Sequence, residues 1–565
     1  MAKPNKNNNI EFDPDIMHFL PLGGSEEFGV NFNVYAYKGH LLTIDLGIGF
    51  ADHRLPGIDI MLPDPSFVED RQDQLSGIIV THAHEDHVGG VHHLWERLRC
   101  PIYCTEFTAQ VLERKFSENP ACRDAEIIII EAGDIIDIGP FKAEFVHVSH
   151  SIPHTVSVVL HTDDGVVVHS GDWNLDPTPV LEEVTDSAHF KRISKENKVL
   201  AYIGDSTNAT VPGRSASESD VAVGLENIFK TCDGRIIITI FASNVARIHS
   251  ICKAAGRAGR EVAVVGRSLH SMTAAAKNCG LLQDIKDFVS EEEIGFMPND
   301  KQVIIATGSQ GEGRAAMARI ASGSHRNISV GPEDTVIFSA RAIPGNEKDI
   351  DAIKNNLIGA GVRMIDPNTT SELIHVSGHP RADEVLEMYS WLKPNAVIPV
   401  HGERMQIEAQ ANLARSVQIP SVVVPANGSI IRIDTKGAEI IGHVETGLLA
   451  IEPGRTIDAN HVAIVRRRKL QYTGTLFATL VVNKRGDLVA DPQVSSIGLI
   501  DHDDDDEMWL EDDMIDEITD VVADMSRNDR QSDKKMSEEV RIHLRRFVND
   551  HLKLRPLTIV HVIRL

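Results

Sequence analysis

The sequence predicts an α/β protein, and three observations carry that. Short β-branched runs recur along the chain: Gly77–Thr81, Val166–His169, Arg235–Ile240, Glu261–Val265, Gln302–Ala306, Thr335–Ser339 and Ala396–Val400. Helical stretches lie between them, such as Glu106–Lys115, Asn244–Gly256 and Arg381–Leu392. The 565 residues exceed what one hydrophobic core supports, so about two to four domains are expected.

Runs this short and this apolar read as strands buried on both faces, and their alternation with helices implies an α/β architecture. The region from Arg235 to Met364 holds strand–helix units of its own and reads as a separate α/β domain. Between about 446 and 470, Gly447, Pro453, Gly454 and the basic run Arg466–Lys469 read as a linker. The tail gives strands near Gly474–Asn483 and Leu488–Val494, helices near Met508–Met525 and Ser537–Leu552, and a last strand, Thr558–Ile563. That suffices for a small α+β domain.

With 56 Lys+Arg against 82 Asp+Glu, the net charge is −26, which argues against a simple cationic nucleic-acid coat. Half of it is local: residues 501–524 hold 13 acidic residues and no Lys or Arg. That run reads as a solvated face. By contrast Arg235–Ala275 carries six Lys/Arg against one Glu, a local excess of positive charge. Six cysteines form no disulfide framework, and the N-terminus MAKPNKNNNI has no apolar signal core. A cytoplasmic protein without a membrane span is expected.

The chemistry concentrates in Thr81–His87, THAHEDH, directly after the strand GIIV. His82 and His84, two apart in extended chain, point the same way and can share one metal. Asp86 and His87 sit where the chain turns and can face a second. Three further candidates each follow an apolar run: His150 after FVHV, Asp172 in VVVHSGD and His401 in VIPVHGE. In α/β sheets, functional groups collect at the carboxyl ends of strands. The seven residues then divide as His82, His84 and His150 on one ion, Asp86, His87 and His401 on the other, and Asp172 between them. Imidazole and carboxylate suit zinc, with manganese or magnesium as alternatives.

This set resembles the metallo-β-lactamase superfamily, whose hallmark is H-x-H-x-D-H. The resemblance implies an αββα sandwich holding two zinc ions. The long gap from Asp172 to His401, with its α/β block, resembles the β-CASP nucleases. GDSTNA with Asp205, HVSGH (His375–His379) and PVHGE match that family's motifs. The likeness to the bacterial ribonuclease J family extends along nearly the whole chain, through PLGGSEEFG, SHSIPHT, FASNVAR, VGRS, ATGSQGE and IPGNE. His154 and Pro380 depart from the usual residues. The divisions this implies are residues 1–215 and 371–448 for the metallo-β-lactamase domain, 216–370 for the β-CASP domain, a linker over 449–472, and a C-terminal α+β domain over 473–565.

The resemblance implies a ribonuclease that runs 5′ to 3′ on 5′-monophosphate RNA, with endonuclease activity as well. It also implies roles in mRNA decay and rRNA maturation on single-stranded RNA, and assembly as homodimers or homotetramers. Two metals would lower the pKa of a water and neutralise charge on the phosphoryl oxygens. The implied catalytic residues are His379, as proton donor to the leaving 3′ oxygen, Asp205, which orients it, and Asp86. A 5′-phosphate pocket is implied at Ser243 and Asn244 and at His375, Val376, Ser377, Gly378 and His379. Rival readings are a small-molecule hydrolase, a DNA-processing β-CASP nuclease and an RNA-binding scaffold with an inert site.

Overall fold

Two mixed sheets stack face to face in the computed structural model, which describes residues 11–52, 54–343, 345–501, 504, 507 and 509–565. The chain divides into two compact units. One runs to Phe50 and resumes over Met61–Leu448; the other comprises Ala51–Ile60 and Leu449–Leu565.

In the first unit an eight-stranded sheet has Met17–Gly23, Phe32–Tyr37, His40–Leu46, Leu75–Val80 and Ile102–Cys104 side by side. A seven-stranded sheet has Ala396–Val400, Val199–Asp205, Gly165–His169, Val156–Thr162 and Phe141–His147 as neighbours. Phe19, Tyr35, Ile44 and Ile79 of the first meet Phe145, Leu160, Ile203 and Ile398 of the second in one buried core. Helices Ser187–Glu196 and Ala382–Leu392 cover the second sheet's other face with Phe190, Ile193, Met388 and Leu392. This is the αββα sandwich the sequence predicts. Its strands are buried on both faces, which is why they read as continuous apolar runs rather than alternating ones.

The block after Asp205 builds its own five-stranded parallel sheet, ordered Glu261–Val265, Gln302–Ala306, Ile236–Thr239, Thr335–Phe338, Arg363–Ile365. Helices Glu218–Phe229 and Val245–Arg257 pack one face through Leu225 and Ile251. Helices Ala316–Ala321 and Glu347–Gly359 pack the other through Met317 and Ile353. The buried guanidinium of Arg247 ties this block together. It pairs with Glu218 and donates to Ser339 O at 2.9 Å and Ile374 O at 3.1 Å.

In the second unit the expected linker is ordered. Strands Leu448–Glu452 and Arg455–Asp458 form a hairpin, and Val462–Thr473 is a helix carrying the basic run. Pro453 and Gly454 are its two turn residues, and Gly454 has φ +84°, as the third position of a type II turn requires. The Pro and Gly that read as a linker are the turn of this hairpin. The tail sheet is ordered Gln493–Ile497, Thr475–Val482, Leu557–Arg564. The first of these replaces the strand expected at Leu488–Val494, because Pro492 has no N–H to give to a ladder.

Helices Leu510–Asp524 and Asp533–Leu552 cover this sheet through Met514, Ile518, Val540 and Leu544. The acidic residues of Leu510–Asp524 alternate with that buried stripe. His502, Asp503, Asp505, Asp506 and Met508 lie outside the described residues, as does the N-terminal MAKPNKNNNI. All six cysteines are unpaired thiols. Among the described residues no helix is long and apolar enough to cross a membrane.

Candidate metal centre

Five strands end at one place. Leu75–Val80 delivers His82, His84, Asp86 and His87, and Phe141–His147 delivers His150. Gly165–His169 delivers Asp172, Val199–Asp205 ends on Asp205, and Ala396–Val400 delivers His401. All seven residues that spacing selected as ligands converge there. Nδ1 of His84 lies 3.1 Å from Nε2 of His82 and 3.0 Å from Nε2 of His150. Those two Nε2 atoms are 3.7 and 3.6 Å from Oδ2 of Asp172. In a second cluster, Nε2 of His401 lies 3.1 Å from Oδ2 of Asp86 and 3.2 Å from Nε2 of His87. His87 Nε2 is 3.3 Å from Oδ2 of Asp172. Asp172 belongs to both clusters.

The outer nitrogens fix what the inner ones offer. Thr81 Oγ1 lies 3.0 Å from Nδ1 of His82, and Gly378 O lies 2.7 Å from Nδ1 of His150. Asp45 Oδ2 sits 2.7 Å from Nδ1 of His87, and Thr207 Oγ1 sits 2.8 Å from Nδ1 of His401. A ring N–H on each outer atom leaves a lone pair on each inner one. Lone pairs about 3 Å apart repel each other unless a cation lies among them. Asp172 Oδ1 is also buried with no hydrogen-bond partner among the described residues. The donor set therefore fits two ions with a shared carboxylate.

The electrostatics of the clusters differ. Burial pushes His84 down to about 4 and His150 to about 3, and holds His82 well below its ordinary value. Burial also opposes the charging of His87 and His401. Asp172, Asp86 and Asp45 outweigh it at His87, and Asp172, Asp205 and Asp86 at His401, so both are raised well above the usual imidazole range. Beside them Nδ1 of His379 is 2.8 Å from Oδ2 of Asp205 and 3.7 Å from Asp172. Burial opposes its proton too, yet Asp205 and then Asp172 raise its pKa.

Two glycines permit this packing. A Cβ on Gly47 would lie 1.6 Å from the carbonyl oxygen of Asp86, and one on Gly378 would lie 2.7 Å from the ring of His150. The other HVSGH and FASN residues surround the same place. Ser377 Oγ accepts from Asn208 Nδ2 at 2.8 Å. Val376 packs on the core of the inserted sheet. Burial, then the charges of Arg247 and Arg341, lower His375 to about 3. Ser243 Oγ touches Nε2 of His84 at 3.1 Å, and Asn244 caps the following helix by accepting from Arg247 N at 2.8 Å.

Sequence reasoning missed Asp45, Thr81 and Thr207. Asp45 lies at the end of the apolar run of His40–Leu46, the same signal that found the candidate ligands. The cationic excess of Arg235–Ala275 is mostly spent inside the fold. Arg235 pairs with Asp334, Arg247 with Glu218, Lys253 with Asp284 and Arg257 with Glu226, while Arg260 binds backbone carbonyls. The Gly-rich segment 308–313 gives its Gln310 N–H to Glu312 at 3.1 Å.

Four family models match along the chain. A Beta-lactamase superfamily domain matches residues 56–190, a Ribonuclease J beta-CASP domain 233–357, a Zn-dependent metallo-hydrolase RNA specificity domain 369–425, and a Ribonuclease J C-terminal domain 462–565. Ribonuclease J of Sinorhizobium meliloti is 41% identical over 100% of both chains. The chain belongs to the ribonuclease J family. Another relative, Ribonuclease J of Mycolicibacterium smegmatis, is 35% identical over 83% of this chain and 84% of its own. A crystal structure of a protein of unknown function from Enterococcus faecalis V583 superposes with a TM-score of 0.54. It covers 74% of this chain and 100% of its own at 15% identity, and shows the fold alone.

Proposed function

We propose that the chain is a metal-dependent ribonuclease that degrades single-stranded RNA from a 5′-monophosphate end, with additional endonuclease cleavage. The roles that follow are mRNA decay and rRNA maturation in the cytoplasm, by a homodimer or homotetramer. The observation that carries this is the pair of four-residue clusters sharing Asp172, with His379 beside them, in a ribonuclease J family chain.

His82, His84, His150 and Asp172 would hold one ion, and Asp86, His87, His401 and Asp172 the other. Zinc suits the donors best, with manganese or magnesium as substitutes. Such ions lower the pKa of water and neutralise charge on phosphoryl oxygens. The protein supplies the rest. Asp205 holds Nδ1 of His379, which directs the reactive proton to Nε2. The raised pKa of His379 keeps that proton in place until the 3′ oxygen of the leaving nucleotide needs it. Asp86 acts in catalysis through its hold on the second ion.

The phosphate pocket is assigned to Ser243, Asn244, His375, Val376, Ser377, Gly378 and His379. The nearby charge of Arg341 supports an anion there. The domains are assigned as residues 1–215 with 371–448, then 216–370, a connecting segment over 449–472 and a C-terminal domain over 473–565.

The experiment uses RNA bearing a 5′-monophosphate and labelled at either end, with and without chelator, beside an Asp86→Ala His87→Ala variant. Stepwise release of 5′ nucleotides, abolished by chelator and by the variant, is the expected result. Equal rates on 5′-monophosphate and 5′-triphosphate RNA would remove the pocket. Cleavage that survives in the variant would remove the metal mechanism.

A further inference from the structure

The ligands of the first cluster are not all braced by their own domain. His82 leans on its neighbour Thr81. The outer nitrogen of His84, however, meets Ser243 Oγ at 3.1 Å, and Ser243 belongs to the FASN turn of the inserted domain, 159 residues away. That turn is set rigidly. Ser243 lies between the strand Ile236–Thr239 and the helix Val245–Arg257, whose first turn Asn244 caps, and Arg247 anchors the same helix to Ser339 and Ile374. Helix Arg267–Asn278 of the inserted domain meets helix Glu106–Ser117 of the sandwich through Met272, Ala275, Phe107 and Val111, with Ala83 of the ligand loop in the same cluster.

We infer that Ser243 is a positioning residue for the first metal site: its hydroxyl accepts the Nε2–H of His84 and so aims Nδ1 at the ion. The assignment follows from hydrogen-bond accounting. Nδ1 of His84 faces His82 and His150 and must offer its lone pair there, so the ring proton sits on Nε2. Ser243 Oγ then receives a hydrogen bond and keeps its own O–H to give. Among the described residues it has no other side-chain partner, so the O–H is available to a substrate phosphate. On that point the inference rests on the proposed 5′-phosphate pocket. Outer hydrogen bonds of this kind fix a ligand's tautomer and ring angle, and losing one costs about 10–100-fold in metal affinity. The inserted domain would thus complete the metal site as well as contact RNA.

Zinc affinity of the full chain, measured by competition with a chromophoric chelator, tests this without reference to activity. His82→Ala removes the ion of the first cluster and identifies its binding step. Ser243→Ala is expected to weaken that step about 10–100-fold and leave the other within about threefold, while Ser243→Thr, which keeps a hydroxyl, stays near wild type. Ser243→Val, matched in shape to Ser243→Thr, decides the same question if Ser243→Ala disturbs folding. Unchanged zinc binding in Ser243→Ala would overturn the inference. So would equal weakening of both steps, or Ser243→Thr being as weak as Ser243→Ala. Cleavage of 5′-monophosphate against 5′-hydroxyl RNA at saturating zinc separates the two readings. Weakened zinc with the phosphate preference intact keeps the positioning role and removes Ser243 from the pocket. Lost preference with unchanged zinc does the reverse.

Discussion

Around His82, His84 and His150 the bracing groups are hydroxyls and a carbonyl: Thr81, Ser243 and Gly378. Around Asp86, His87 and His401 carboxylates dominate: Asp45 on His87, Asp205 near His401, and Asp86 itself. The first cluster thus consists of imidazoles kept neutral by burial, while the second is a set of buried ion pairs. Both draw on the strand ends after Leu75–Val80 and Gly165–His169 and share Asp172, while His150 and His401 come from different strands. Neighbouring strand ends therefore yield one site organised by shape and one organised by charge. The first borrows groups from beyond the initial sandwich segment, Ser243 and Gly378, whereas the second leans on Asp45 and Asp205 within it.

The shared carboxylate offers the largest break. Asp172→Ala removes a ligand from both clusters and leaves the remaining imidazoles without their common counter-charge. Both zinc ions should be lost at micromolar free zinc, and cleavage should fall by at least about a thousandfold, since several kcal/mol of transition-state stabilisation goes with them. Elemental analysis with single-turnover rates checks it; a variant that retained both ions would show that Asp172 does not bridge.

His379→Ala should separate chemistry from metal holding. The rate is expected to drop about 10²–10⁴-fold while zinc content stays at the wild-type level. If the single-turnover rate did not move, the proton would come from elsewhere. A smaller break falls mainly on the second cluster. Asp45→Ala removes the partner of His87 Nδ1 and should weaken that zinc step about 10–100-fold. The first cluster's step should weaken less, through Thr81, which gives its hydroxyl to Asp45 and braces His82. Equal weakening of both steps would show that the two halves are not separately braced.

Much of this comparison was legible in the chain. Strands buried on both faces are written as short apolar runs, so the ends that carry His82, His150, Asp172 and His401 could be located residue by residue. The grouping of His82 with His84 followed from the alternation of side chains in extended chain. What was not legible depends on contacts across long separations. Thr207 meets His401 from 194 residues away and Ser243 meets His84 from 159, and nothing in local spacing announces either. The hairpin at Leu448–Asp458 was missed for the opposite reason: Pro453 and Gly454 specify a turn but not what flanks it. The pairing of the cationic segment was hidden in the same way, because Arg235, Arg247 and Arg257 meet acids 99, 29 and 31 residues away.

The smallest expected effect is a count of protons, and it measures the contrast directly. In the metal-free protein near pH 7, His84 and His150 are already neutral, with values of about 4 and about 3, and an ion entering the first cluster displaces no proton. His87 and His401 have folded values raised well above 6.5, so both carry protons there that an ion must expel. The sign for stability follows. The contribution of His87 and His401 to the metal-free fold is fully present below their unfolded value of about 6.5, and is lost as pH rises through their raised folded values. Zinc binding at the second cluster should therefore tighten as pH rises above 7, and release up to about two protons per ion. The first cluster should be nearly insensitive to pH in that range. Calorimetric titration in buffers of different ionisation enthalpy counts the protons, and His82→Ala isolates the second step. Equal proton release from both steps would mean that the clusters differ in geometry alone.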